Sequence, residues 1–206
     1  LVALDAANGK PLWEKKRESK SGFGTPAVWD TPAGTQVVAP GYGRMIAYVD
    51  LRPQGDDVVE DLWVMQADGS GKVKVAEQAF NFSWSPDGRL VYTSVADFGD
   101  IHLRIINADG SSDVRLTNRA AFEPAWSPDG SRIAYPRRCI PGYSDDVFCD
   151  VAVIRPDGSG RRTLVRRGET RPSGPTDTRP VWTSADGLLV GLWGYKHGIL
   201  AVNAST

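Results

Sequence analysis

Two histidines, His102 and His197, supply the only imidazoles in this 206-residue chain, and imidazole is the side chain that ordinarily titrates near neutral pH. Neither stands in a Ser/His/Asp or metal-ligand pattern, so proton-transfer chemistry has no legible base here. His102 opens an expected strand and reads as a polar strand-end residue, while His197, inside "GYKHG", reads as a loop residue. Two "GSG" triplets, at 69–71 and 158–160, sit within Asp-Gly-Ser turns, where the serine satisfies local backbone groups. No Gly-x-Ser-x-Gly nucleophile elbow accompanies them. Acidic residues gather at Asp97 with Asp100, and at Asp56, Asp57 and Glu60 with Asp61. Neither group has the alternating oxygens and the sixth-position glycine of a calcium loop, and both are read as solvated acidic loops. No catalytic residue, metal ligand set or cofactor is therefore assigned.

Cys139 and Cys149 flank "IPGYSDDVF", a separation that lets them face each other across the base of a hairpin loop. A disulfide is the favoured reading and two buried free thiols the alternative. Metal is the least supported, because no further Cys or nearby His completes a set. A disulfide implies an oxidising compartment, periplasmic or extracellular.

Hydrophobic residues make up 41% of the chain and charged residues 24%, with a net charge of -1. That balance supports a packed core and gives no electrostatic reason to expect nucleic acid. The longest apolar runs, "GILAVNA" and "LLVGLW", fall far short of a bilayer span. The chain opens "LVALDAANGK", without an initiator Met or a signal-peptide layout, which leads us to expect a processed product or a piece of something longer.

The elements that must position these residues are β-strands. Twenty-two Gly and 14 Pro interrupt the chain too often for a helical apolar face. "FSWSPDG" at 82–88 returns as "PAWSPDG" at 124–130, each a Pro-Asp-Gly turn between apolar runs. A second turn recurs as "ADGSG" at 67–71, "ADGSS" at 108–112 and "PDGSG" at 156–160. Two hairpins per repeat give four antiparallel strands, and no such sheet buries both faces until it stacks on the next. The expected fold is all-β: a β-propeller of four-stranded blades, four or five in number, or an open section of a larger one.

Trp84 and Trp126 are read as packing wedges, with weaker copies of the motif at Trp29 and Trp182. "RMIAYVD" makes the count uneven near residues 41–60, and a strand at 198–203 is expected to meet the N-terminal segment and close the ring. Residues 1–206 are taken as one propeller domain.

The W-S-P-D-G turn followed by an "I-A-Y" strand, Trp126 to Tyr135, closely resembles the TolB-type propeller repeat over residues 61–203. The same grammar extends the TolB-like part of the domain to 51–206. "ALDAANGKPLW", with Trp13 as an inter-blade wedge, is similar to the tryptophan-docking repeat of quinoprotein propellers over residues 1–50. The first resemblance implies architecture and not activity. The second would imply a quinone held over calcium in the enzymes of that group, but this chain lacks their adjacent Cys-Cys pair and falls short of eight blades.

In a propeller the loops joining second to third strands share one rim with the crossovers between blades. Those of this chain contain Phe98, Tyr143, Asp145, Asp146, Arg171, Tyr195 and His197. Aromatics beside Arg and Asp suit an interface with a protein or peptide partner. The arginines Arg161, Arg162, Arg166 and Arg167 read as a solvated outer strand. The function expected is a non-catalytic binding or scaffold module of the envelope or extracellular space. The alternatives are the propeller lobe of a larger secreted hydrolase acting on peptide or glycan, and an engineered or fragmentary propeller without native activity.

Overall fold

A computed structural model describes residues 2–4, 11–14, 27–31, 34–40, 45–54, 57–66, 68–96, 100–141, 147–166, 174–175, 180–193 and 198–205. Among them there is no helix. The chain starts with a two-stranded sheet, β1 (Val2–Leu4) on β2 (Pro11–Glu14). Next comes a five-stranded meander of β3 (Ala27–Thr31), β4 (Gly34–Pro40), β5 (Met45–Gln54), β6 (Asp57–Gln66) and β7 (Val73–Ala76). The second meander holds β8 (Ala79–Trp84), β9 (Arg89–Ala96), β10 (Asp100–Asn107) and β11 (Val114–Arg115). The third holds β12 (Ala125–Trp126), β13 (Ile133–Pro141), β14 (Val147–Ile154) and β15 (Arg162–Val165). In the fourth, β16 (Gly174–Pro175) and β17 (Val181–Trp182) both pair with β18 (Gly187–Trp193), whose other edge carries β19 (Gly198–Asn203).

Two of these sheets depart from the four-strand expectation. The "RMIAYVD" segment becomes β5 and inserts between β4 and β6, so the first meander has five strands, with Trp29 on the added edge strand β3. In the fourth sheet the first strand is split into β16 and β17, two short pieces on one edge of β18.

Strands here have two buried faces, and alternate residues serve alternate interfaces, as the two-residue period of a strand requires. Leu90 and Tyr92 of β9 join a core with Ala47, Leu62 and Val64 of the preceding sheet. Val91, between them, joins Trp126, Ile133 and Tyr135 of the following one. β14 repeats the division: Ala152 and Ile154 face back, whereas Val151 and Val153 face forward to Leu188 and Val190. The second and third sheets are thus each the wall of two cores, which explains why apolar runs such as "RLVYTS" are nearly continuous.

The tryptophans are equivalent in register: Trp84 pairs with Leu90, Trp126 with Ile133 and Trp182 with Leu188. All three pack into the interface with the preceding sheet. Trp126 is 6% exposed, its backbone N–H donates to Ser83 Oγ at 3.1 Å, and its ring lies 5.3 Å beneath the Arg89 guanidinium. Trp182 Nε1 donates to the Ala125 carbonyl at 2.9 Å. Trp13 on β2 and Trp29 on β3 are described as backbone only.

First strands β8, β12 and β17 touch in series, so consecutive sheets converge along that edge. The Pro-Asp-Gly turns also nest: Gly130, at φ 73°, would place a Cβ 3.2 Å from Pro86 Cγ of the preceding turn. Inside each turn the serine is buried. Ser127 Oγ donates to Asp129 at 2.6 Å and accepts the Arg132 N–H at 2.9 Å, and Ser85 accepts the Arg89 N–H at 2.7 Å. In the exposed Asp-Gly-Ser turns the roles differ from expectation. The aspartate is the acceptor there, taking the N–H of Ser70 (2.9 Å), Ser111 (2.9 Å) and Ser159 (2.8 Å).

Arg162 is not simply a solvated outer-strand residue. It donates to the Ala204 carbonyl, and Arg132 reaches the same oxygen at 3.2 Å and Asp186 at 2.9 Å, which ties the third sheet to the fourth.

Candidate functional site at the loop face

In an antiparallel meander, the turns after the first and third strands lie at one end of the sheet. The loops after the second strand, and the crossovers to the next sheet, lie at the other. The Pro-Asp-Gly and Asp-Gly-Ser turns therefore form one face. The strand ends that the second-to-third-strand connections join, Gln54 and Asp57, Ala96 and Asp100, Pro141 and Val147, Trp193 and Gly198, lie at the opposite end, the loop face. Phe98, Tyr143, Asp145, Asp146, Arg171, Tyr195 and His197 all lie outside the described residues.

A row of buried polar side chains underlies it. Asp61, His102 and Asp150 stand five positions before the residues that open the Asp-Gly-Ser turns, Gln66, Asn107 and Arg155. Each lies on the third strand of its blade, opposite Asp50, Ser94 and Arg137 respectively. They are 0%, 2% and 6% exposed. The sequence offered no shared residue type to reveal this position. Only its constant distance from the Asp-Gly-Ser turn marks it.

Each member meets burial differently. Asp61 Oδ2 pairs with Arg52 and lies 3.6 Å from Lys74 Nζ, while Oδ1 has no hydrogen-bond partner among the described residues. This corrects the reading of 56–61 as a solvated loop. The segment from Asp57 is strand, and its period-two alternation turns Asp61 inward, where Arg52 and Lys74 balance it. His102 Nδ1 sits 3.1 Å from the Asp100 carbonyl oxygen, its buried Nε2 has no partner among the described residues, and Asp100 in turn pairs with Arg115 at 2.9 Å. Burial depresses the His102 pKa, outweighing the neighbouring Asp100. Asp150 lies 3.9 Å from Arg138, a residue at φ 51° in the bulge between Arg137 and Ile140. Beside that bulge Cys139 is joined to Cys149 by a disulfide, at the base of the 142–146 loop.

Between the first and second blades this face opens into a cleft of about 420 Å³ lined by Arg52, Pro53, Val59, Asp61, Glu77 and Gln78. A smaller recess of about 270 Å³ adjoins it through Val59 and Gln78 and adds Val58, Glu60, Phe80 and Val95. Burial pushes the Glu60 carboxyl above its ordinary pKa. No group of three or more metal-capable side chains occurs among the described residues. Nor does any described helix have the length and apolarity to cross a membrane.

Sheets that share cores in series and converge on their first strands are blades of a β-propeller. Comparison with known proteins places them more closely. In sequence the chain is distantly related to the Tol-Pal system protein TolB of Actinobacillus succinogenes, at 29% identity over 160 residues, 68% of this chain. It spans 36% of that protein's length. In fold it is similar to a putative TolB from Agrobacterium tumefaciens, with TM-score 0.57 and 16% identity, covering 77% of this chain and 56% of that one. It is likewise similar to the β-propeller domain of the Trilobed protease from Pyrococcus furiosus, with TM-score 0.54 and 12% identity, covering 81% and 53%. Pyrococcus horikoshii acylaminoacyl peptidase gives TM-score 0.56 and 13% identity, covering 80% of this chain and 32% of that one. No family model matches the chain.

Proposed function

We propose that this chain is a non-catalytic propeller module of the periplasm or extracellular space that engages a protein or peptide through its loop face. The observation that carries the reading is the asymmetry of the two faces. Clefts open at both faces, about 430 Å³ beside the turns at Asp87, Gly88 and Asn107 and about 420 Å³ at the loop face, but of the two only the loop-face cleft is lined by a buried carboxylate, Asp61, one of whose oxygens has no partner among the described residues. Kinship with a component of the Tol-Pal system favours a protein partner, and the Cys139–Cys149 bridge favours an oxidising compartment. The bridge would also restrain Tyr143, Asp145 and Asp146, lowering the entropy lost on docking. Phe98, Arg171, Tyr195 and His197 complete the proposed rim.

The second reading, the propeller lobe of a secreted hydrolase, draws support from the peptidase propellers among its structural neighbours. The deciding experiment uses the Tyr143→Ala, Asp146→Ala double variant against an envelope extract of the source organism. The rim reading expects a partner captured by the native chain to be lost with the variant. Equal capture by both would remove it.

A further inference from the structure

The cleft between the first and second blades has a composition that selects its occupant. Its two recesses present three carboxylates, Glu60, Asp61 and Glu77, against one lining cation, Arg52. Lys74, close by, is already engaged by both Asp61 and Glu77. Asp61, which lines the cleft, is fully buried, and among the described residues its Oδ1 has no donor. A buried acceptor left unmade is costly, the more so when charged, so a donor that reaches it recovers that cost. Arg52, which lines the cleft and is half-exposed, holds Oδ2. Around the charged floor the adjoining recess is apolar: Val58 is 63% exposed, Phe80 is half-buried, and Val59 and Val95 complete it.

We propose that this cleft is a docking subsite for a partner polypeptide that presents an arginine or lysine beside an apolar residue. The cation shares Asp61 with Arg52 and takes Oδ1, while the apolar neighbour covers Val58, Val59 and Phe80. The proposal deepens the loop-face reading and rests on it, naming one blade interface and the chemistry of what enters.

The test titrates the isotope-labelled 206-residue chain with the blocked pentapeptide Gly-Leu-Arg-Phe-Gly, and with the same peptide carrying citrulline, which is isosteric but neutral. The arginine peptide is expected to move the amides of Val59, Asp61, Gln78 and Phe80, and to bind about tenfold more tightly than the citrulline peptide. It should also draw the Glu60 carboxyl midpoint downward. Glu77→Gln and Phe80→Ala should each weaken binding several-fold, and Ser159→Ala, on the turn face, should not. Asp61→Asn should abolish the preference for arginine. If that variant loses the native spectrum, Glu77→Gln and Phe80→Ala decide. Equal binding of the two peptides, or cleft amides that do not respond, overturns the proposal. Cleft silence with partner capture still lost in the Tyr143→Ala, Asp146→Ala variant would sink this subsite alone. A responding cleft with unaltered capture would sink the rim reading instead.

Discussion

The two ends of the sheets obey different rules. At the turn face, the second and third blades solve the same problem with the same residues: Ser85 and Ser127 are buried acceptors within their turns, and Gly130 nests on Pro86 of the turn before it. At the loop face, the equivalent third-strand position holds Asp61, His102 and Asp150, two carboxylates and an imidazole with three different sets of neighbours. Stacking demands identical geometry from each turn, because each touches the next. The loop face has no such demand, so its residues diverge, and divergence of buried polar groups is what a specific binding surface requires.

The largest test of this contrast is Trp126→Ala. The indole is buried between the second and third blades, and its loss should lower stability by about 3–5 kcal/mol in denaturant unfolding. A loss below about 1 kcal/mol would mean that the interface does not depend on the wedge. Removing the disulfide with Cys139→Ser and Cys149→Ser comes next. Closing a loop of this size is worth roughly 2–3 kcal/mol. Hydrogen exchange should quicken at residues 137–149 and stay unchanged at the 127–132 turn if the two faces are mechanically separate.

These differences also set what the sequence made legible. Trp84, Trp126 and the Pro-Asp-Gly turns repeat as letters because they repeat as contacts, and from them the propeller could be read before any coordinates. β5 was visible as an extra strand, but its place inside the first meander was not, since register depends on pairing partners far away in the chain. Asp61 was misjudged because a run of acids reads as solvated unless its cations are in view. Arg52 and Lys74 approach it only once β5 and β7 flank β6. The aspartate, histidine and aspartate of the loop-face row share a position but no common residue type, so no motif announced them.

A finer comparison sets Ser127 against Ser159. Ser127→Ala deprives a buried Arg132 N–H of its acceptor and should cost about 1–2 kcal/mol. Ser159→Ala removes an exposed hydroxyl, and the Asp157 carboxylate still accepts the residue 159 N–H, so its change should stay within about 0.5 kcal/mol. Equal losses at the two sites would show that burial does not set the penalty.

The smallest effect belongs to His102 and is read through pH. Burial holds its pKa below the ordinary value in the fold, so the unfolded chain takes up the proton first as the solution is acidified. Stability contributed by the neutral imidazole is present above the unfolded pKa, near ~6.5, and falls as pH drops from there toward the folded pKa. The slope for one such group is at most about 1.4 kcal/mol per pH unit. Asp100 opposes the effect, whereas Arg115 and Arg104 reinforce it. Because carboxylates elsewhere also titrate under acid, the quantity to measure is the difference in unfolding free energy between the native chain and His102→Gln from pH 7.5 down to pH 5. The native chain should lose ground to the variant as pH falls. A difference that holds constant over that range would mean that the imidazole is solvated in the fold, and that the row beneath the loop face is two carboxylates rather than three buried groups.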